Sequence, residues 1–231
     1  MMRLATLLGL LLILTACGRA LTPGETAFSQ TLFGSELQTK SVRIAPFAAL
    51  TSLTQRRPPR PRVACRELIW PEPKLTSGTV ETFTAAFVTF NRLNMAKQLY
   101  LPDYMPQYPD RISLPAAMLL GHELTHVWQW QNRARTKYHP LKAVAEHKPG
   151  ADPYLLELST KNEFLDFPFE QQGAIVEEYI CCRSLDPKGE RTQRLHRLLR
   201  GAMPTASIDQ SLPQPEAIIP WKGAKTAGIC S

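Results

Sequence analysis

Residues 119–131 read "LLGHELTHVWQWQ". Two histidines stand four apart, with a glutamate beside the first, in a run otherwise made of core-type residues. On an α-helix, positions four apart are rotated by about 400°, so His122 and His126 project from nearly one azimuth, a turn apart. That spacing lets two imidazoles reach one tetrahedral Zn²⁺. Glu123 is then placed to take a proton from a water that the metal activates. A buried helix gains nothing from three such side chains unless their desolvation is compensated, so a metal accounts for them better than a polar seam.

Around this stretch the chain divides readily. "SLPAAMLLGHELTHVWQWQNR" opens with Ser113 or Leu114 as cap and Pro115 near the first helical position, and continues to about Arg133. "FEQQGAIVEEYICCRSL" (169–185) follows Pro168, ends before Pro187 and reads as a second helix. "ERTQRLHRLLRG" (190–201) reads as a third, with Leu195, Leu198 and Leu199 on one stripe. "AAFVTFN" (85–91) and "KQLYL" (97–101) predict two strands with "RLNMA" between them, and "YLLEL" (154–158) offers another. "LPDYMPQYPD" (101–110) has three prolines and is loop. The fold class expected is α+β: one domain over 63–200, a tether over 17–62 and a Pro-rich tail over 201–231 held by Cys230.

Residues 1–16 are one Arg and a short apolar run too short to span a bilayer as a mature helix, which reads as an export signal. Its ending, Leu14-Thr15-Ala16-Cys17, resembles the lipobox of bacterial lipoproteins. The resemblance implies an acylated Cys17 and attachment on the periplasmic side, at the outer membrane because Gly18 follows rather than Asp. Export leaves four further cysteines, which allow three pairings. Neighbours on a helix point about 100° apart, so Cys181 and Cys182 are expected to pair separately with Cys65 and Cys230. A thiol metal cluster lacks any CxxC spacing.

Removing residues 1–16, which carry one Arg and no acid, lowers the net charge from +7 to +6. No aromatic-interleaved basic motif accompanies that charge, so nucleic acid is not an expected partner. Anionic lipid head groups or cell-wall polymers fit an exported protein better. The charge gathers at "QRRPPRPR" (55–62), read as a stiff extended linker.

H-E-x-x-H on a helix is the zincin signature. By residue type, His139, His147 and His196 are candidates for the third ligand. The metzincin extension is excluded, because Gln129 and Asn132 stand where its glycine and histidine belong. "HELTHVWQWQ" followed by "FEQQGAIVEEY" resembles a family of bacterial HExxH metallopeptidase domains of gluzincin type, over about residues 80–183. Some members lie near secretion or toxin-delivery loci. The resemblance implies a compact zincin-like fold, a zinc ion, peptide hydrolysis with Glu123 as base, and a third ligand from the E-x-x-A/G helix. That makes the metal ligands His122, His126 and Glu170, with Glu177 in reserve and Glu178 turned away, solvated or behind the ligands. Ala174 stands where the family often has an Asp bracing a ligand histidine. The substrate is expected to be a peptide or protein, with cell-wall material within the same chemistry, held along a strand near 97–101. Tyr154, Tyr179 and His147 are candidate oxyanion donors, and Trp128 and Trp130 are expected to pack. The alternative is a non-catalytic zinc lipoprotein that binds cell wall or a protein partner.

Overall fold

A computed structural model describes residues 18–49, 54–148, 152–156, 161–207 and 214–231. The export signal and Cys17 lie outside the described residues. Helix α1 (Pro23–Phe33) begins at a capping box: Thr22 Oγ1 accepts from the Glu25 amide, and the Glu25 carboxylate accepts from the Thr22 amide. Phe28, Leu32 and Phe33 bury their side chains in the same core as the later helices. Strand β1 (Arg43–Phe47) then enters the main sheet. The stretch expected as a tether is therefore folded into the body, with Phe28, Leu32, Phe33, Leu37, Val42 and Ile44 all buried.

Strand β2 (Thr54–Arg57) pairs antiparallel with β3 (Val80–Phe83), and between them runs the short helix α2 (Cys65–Leu68). The "QRRPPRPR" segment is thus part strand and part anchored loop rather than a free linker, with Arg60 clamped to Asp152. Strand β4 (Ala86–Thr89) pairs antiparallel with β5 (Arg92–Ala96), which pairs parallel with β1, giving the order β1-β5-β4. The strand expected at 97–101 is misplaced. Lys97–Leu99 form a 3-10 turn, and the strand lies in the connection, over Arg92–Ala96. As the central strand, β5 has both edges paired and offers no edge for a substrate. Tyr154–Leu156 carry no strand, and 157–158 lie outside the described residues.

Strand β6 (Arg111–Ser113) leads directly into α3 (Leu114–Gln131), followed by the short α4 (Arg133–Thr136) and α5 (Pro140–Val144). Helices α6 (Phe169–Leu185) and α7 (Glu190–Arg200) occupy the ranges read from the sequence. The core centres on α3 packed against α6. Gly121 permits the approach, since a Cβ there would lie 2.3 Å from Ile180 Cδ1. Disulfides join Cys65 to Cys181 and Cys182 to Cys230, so adjacent cysteines pair apart as expected. The tail is held by Cys230 and also by β7 (Glu216–Ile218), which pairs parallel with β6. The class is α+β, with small sheets beside two long helices packed on each other.

Candidate metal centre

One turn apart on α3, His122 and His126 bring their Nε2 atoms to 3.2 Å. Glu170, in the first turn of α6, places Oε2 3.2 Å from His122 Nε2 and 3.4 Å from His126 Nε2. The start of α6 has no side-chain cap of its own; Glu146 supplies one, accepting from the amides of Phe169 and Glu170 at 2.9 Å each. A carboxylate at a helix N-terminus is stabilised there, and it fixes the turn that carries Glu170. The His122 ring lies against the backbone of α6 at Gly173, where a Cβ would come within 2.6 Å of it.

The opposite ring nitrogens are held too. Gln129 donates through Nε2 to Phe169 O and Gln172 Oε1, which leaves its Oε1 to accept from His126 Nδ1 at 2.8 Å. His126 therefore carries a proton on Nδ1, which in the neutral ring leaves a lone pair on Nε2 facing Glu170. His122 Nδ1 lies 2.7 Å from Glu177 Oε1, a charge contact whose angle falls outside hydrogen-bond geometry. The other oxygen of Glu177 accepts from Arg66 Nη1 at 2.7 Å.

Two imidazole nitrogens and a carboxylate oxygen, mutually 3.2 to 3.4 Å apart and buried, could hold a cation between them. A tetrahedral zinc with bonds of about 2.0–2.1 Å spaces its ligands about 3.3 Å apart, which these atoms match. The same contacts shift the ionisation of all three groups. Burial would lower both imidazole pKa values, yet Glu177 and Glu170 hold His122 well above its ordinary value, and Glu170 holds His126 up. Burial would raise Glu170, but His126 and His122 hold it below the usual carboxylate range.

Glu123 belongs to a different category. It is 5 % exposed, and its Oε2 is buried with no hydrogen-bond partner among the described residues. Burial pushes its pKa up, against the pull of His122 and His126. Such a carboxylate is free to accept a proton and does not belong to the converging set of His122, His126 and Glu170.

The remaining candidates separate cleanly. His139 caps α5 by accepting from the Leu141 amide, and His196 Nδ1 shares a hydrogen bond of 2.8 Å with the Tyr179 hydroxyl. Tyr179 is fully buried and also bonded to Arg183, so it is not available as an oxyanion donor at this centre. Tyr154 does adjoin the centre: its ring lies 5.6 Å from that of His122, and its hydroxyl is 2.8 Å from His147 Nε2. Glu177 stands behind His122 rather than among the three donors. Glu178 is not solvated. It is fully buried and caps α2, accepting from the Cys65 and Arg66 amides and from Arg191. Cys65, Cys182 and Cys230 cluster as well, but they are consumed in disulfides. Trp128 packs in the core near Phe33 and Phe164, and Trp130 lies against Phe90 and Arg133.

Sequence reasoning missed Gln129, Glu146, Arg66 and Tyr138, whose ring stacks on His126. A signal existed for Gln129: an amide three residues after His126 on a buried helix needs a partner within reach. Glu146 sits far from α6 in sequence and carries no such mark.

No protein-family model matches the chain, and no curated protein matches it. Among solved structures, it is similar to the effector domain of Pseudomonas aeruginosa VgrG2b. The identity is 19 %, the match covers 81 % of this chain and 85 % of that one, and the TM-score of 0.47 is too low to carry a functional argument.

Proposed function

We propose that the chain is a zinc-dependent metallopeptidase, lipid-anchored through Cys17 on the periplasmic side, with a gluzincin-type centre of His122, His126 and Glu170. The observation that carries this reading is the triangle of three buried donor atoms at the spacing of a tetrahedral zinc site. Zinc supplies Lewis-acid polarisation of a carbonyl and lowers the pKa of a water. Glu123 then accepts the proton of the attacking water and passes it to the nitrogen of the leaving amine, as a new C–O bond forms and the peptide C–N bond breaks. Tyr154, backed by His147, is the donor suited to the carbonyl oxygen as negative charge builds on it. Gln129 and Glu177 orient the imidazoles from behind.

Two features favour an enzyme over a structural zinc site. Structural sites close with four protein ligands, whereas three converge among the described residues. A structural site also has no use for a buried carboxylate like that of Glu123, left without a partner. The anchor rests on the lipobox resemblance alone, and among the described residues no helix is long and apolar enough to cross a membrane. The test is turnover by Glu123→Gln, which keeps shape and loses the base. It is expected to hydrolyse peptides at least roughly a hundredfold more slowly than wild type while still binding zinc. Equal turnover would remove Glu123 from the chemistry.

A further inference from the structure

A cavity of 360 Å³ opens beside the metal centre, between the 57–62 segment, α2, the 70–73 turn and the start of α3. Its charged lining is Arg57, Arg60, Arg62 and Arg66 against Glu67 and Glu177. Among the described residues, carboxylates pair closely with two of these four guanidinium groups and not with the other two. Arg60 takes Asp152 and Glu67, and Arg66 takes Glu177, which is shared with His122. Among the described residues, Arg62 bonds only to the carbonyls of Trp70 and Pro71, at 2.7 and 3.2 Å. Arg57 bonds to the neighbouring Pro58 carbonyl and stays 3.9 Å from Asp152, which Arg60 already holds. Arg66 is buried, and its Nε has no hydrogen-bond partner among the described residues. Burial and the nearby charge of Arg60 both push the Arg57 pKa down, as expected where cations gather without enough counter-charge.

The cavity and the metal centre share a wall one residue thick. Arg60 lies over the Tyr154 ring at 5.4 Å, and that ring is 5.6 Å from His122. Glu177 touches Arg66 with one oxygen and His122 with the other, at 2.7 Å each. Glu177 is thus the residue that the cavity lining and the brace behind His122 have in common.

We infer that this cavity is a subsite for a carboxylate of the peptide substrate close to the scissile bond; the assignment to substrate rests on the metallopeptidase reading. Its volume lies at the small end of ligand pockets, which suits one side chain or one chain end rather than a folded partner. Guanidinium forks match a carboxylate in shape and charge, and Trp70, Pro115 and Met118 give an aliphatic stem an apolar wall. The carboxylate comes either from an acidic side chain or from a peptide C-terminus.

The test is calorimetric titration of the full chain, zinc-loaded and chelator-stripped, with acetyl-Ala-Glu-Ala-amide, its Gln counterpart, and acetyl-Ala-Ala-Ala ending in a free carboxylate. One of the two carboxylate peptides is expected to bind roughly tenfold or more tightly than the Gln peptide, and to do so without zinc. Which of them binds identifies the source. Arg57→Gln, whose hydrogen bond goes only to a neighbouring carbonyl, should abolish the preference, and Arg62→Lys should weaken it while retaining the charge. Equal binding of the Glu, Gln and free-carboxylate peptides overturns the inference. So does a preference that needs zinc, which would place the carboxylate on the metal, or one that survives Arg57→Gln unchanged. A carboxylate preference in a chain that takes up no zinc would keep the anion site and remove only the peptidase.

Discussion

Substitution of Glu177 separates a zinc ligand from a residue that braces one. Its carboxylate makes two contacts of 2.7 Å, to His122 Nδ1 and Arg66 Nη1. Glu177→Gln keeps one acceptor oxygen but removes the charge that holds the imidazole. Loss of such a bracing partner weakens metal binding about 10- to 100-fold, or about 1.4–2.7 kcal/mol. Glu177→Ala should match or exceed that loss and also destabilise the fold. Removing one partner of a buried ion pair costs about 3–5 kcal/mol, and the low end applies here. Arg66 keeps its bond to the Tyr154 carbonyl and lies 3.8 Å from Glu67. Competition for zinc against a chromogenic chelator reads the first quantity, and urea unfolding of the metal-free chains reads the second. Glu170→Ala should lose more zinc affinity than either Glu177 variant. If Glu177→Ala empties the site at saturating zinc and Glu170→Ala leaves it full, Glu177 is the ligand and the assignment is wrong.

The two disulfides should differ in worth. Cys65–Cys181 spans 116 residues and Cys182–Cys230 spans 48, so loop-closure entropy assigns them about 5 and about 4 kcal/mol. Paired Cys→Ser replacements followed by urea unfolding should show the larger loss for the 65–181 pair, and the reverse order would contradict the entropic account. Asp152 should govern part of the acid limb. Burial would raise its pKa, but the hydrogen bond and charge of Arg60 outweigh burial and hold it below its ordinary value. Its contribution is present above the unfolded value of about 3.9 and is lost as pH falls through the lower folded one. Asp152→Asn should therefore be less stable at neutral pH and lose less on acidification below about pH 4; parallel stability curves would refute this.

The three long C-terminal helices were legible because each carries its own punctuation: Pro115 at the start of α3, Pro168 before α6, and Pro187 between α6 and α7. His122 and His126 were legible from their spacing on one helix, whereas Glu170 was reached only through the resemblance to gluzincin-type domains, with Glu177 in reserve. Strand β5 was not, because a central strand need not alternate. Leu93, Met95 and Ala96 are fully buried on both faces, and buried Asn94 bonds locally to Thr89. Helix α1 announced itself only through Thr22 and Glu25, a capping box ahead of a weakly apolar run. The braces were largely hidden. Glu146 comes from a turn and Arg66 from a short helix, and only tertiary packing brings them to the centre.

The most direct test of the central claim is the zinc content of the purified full chain, measured by elemental mass spectrometry after exhaustive dialysis. The account predicts one zinc per chain in wild type and in Glu123→Gln, and little in Glu170→Ala or His126→Ala. Wild-type chain that retains no zinc under these conditions, and takes none up on titration, would contradict it. The two histidines would then be a buried polar pair, and the enzyme reading would fall with them.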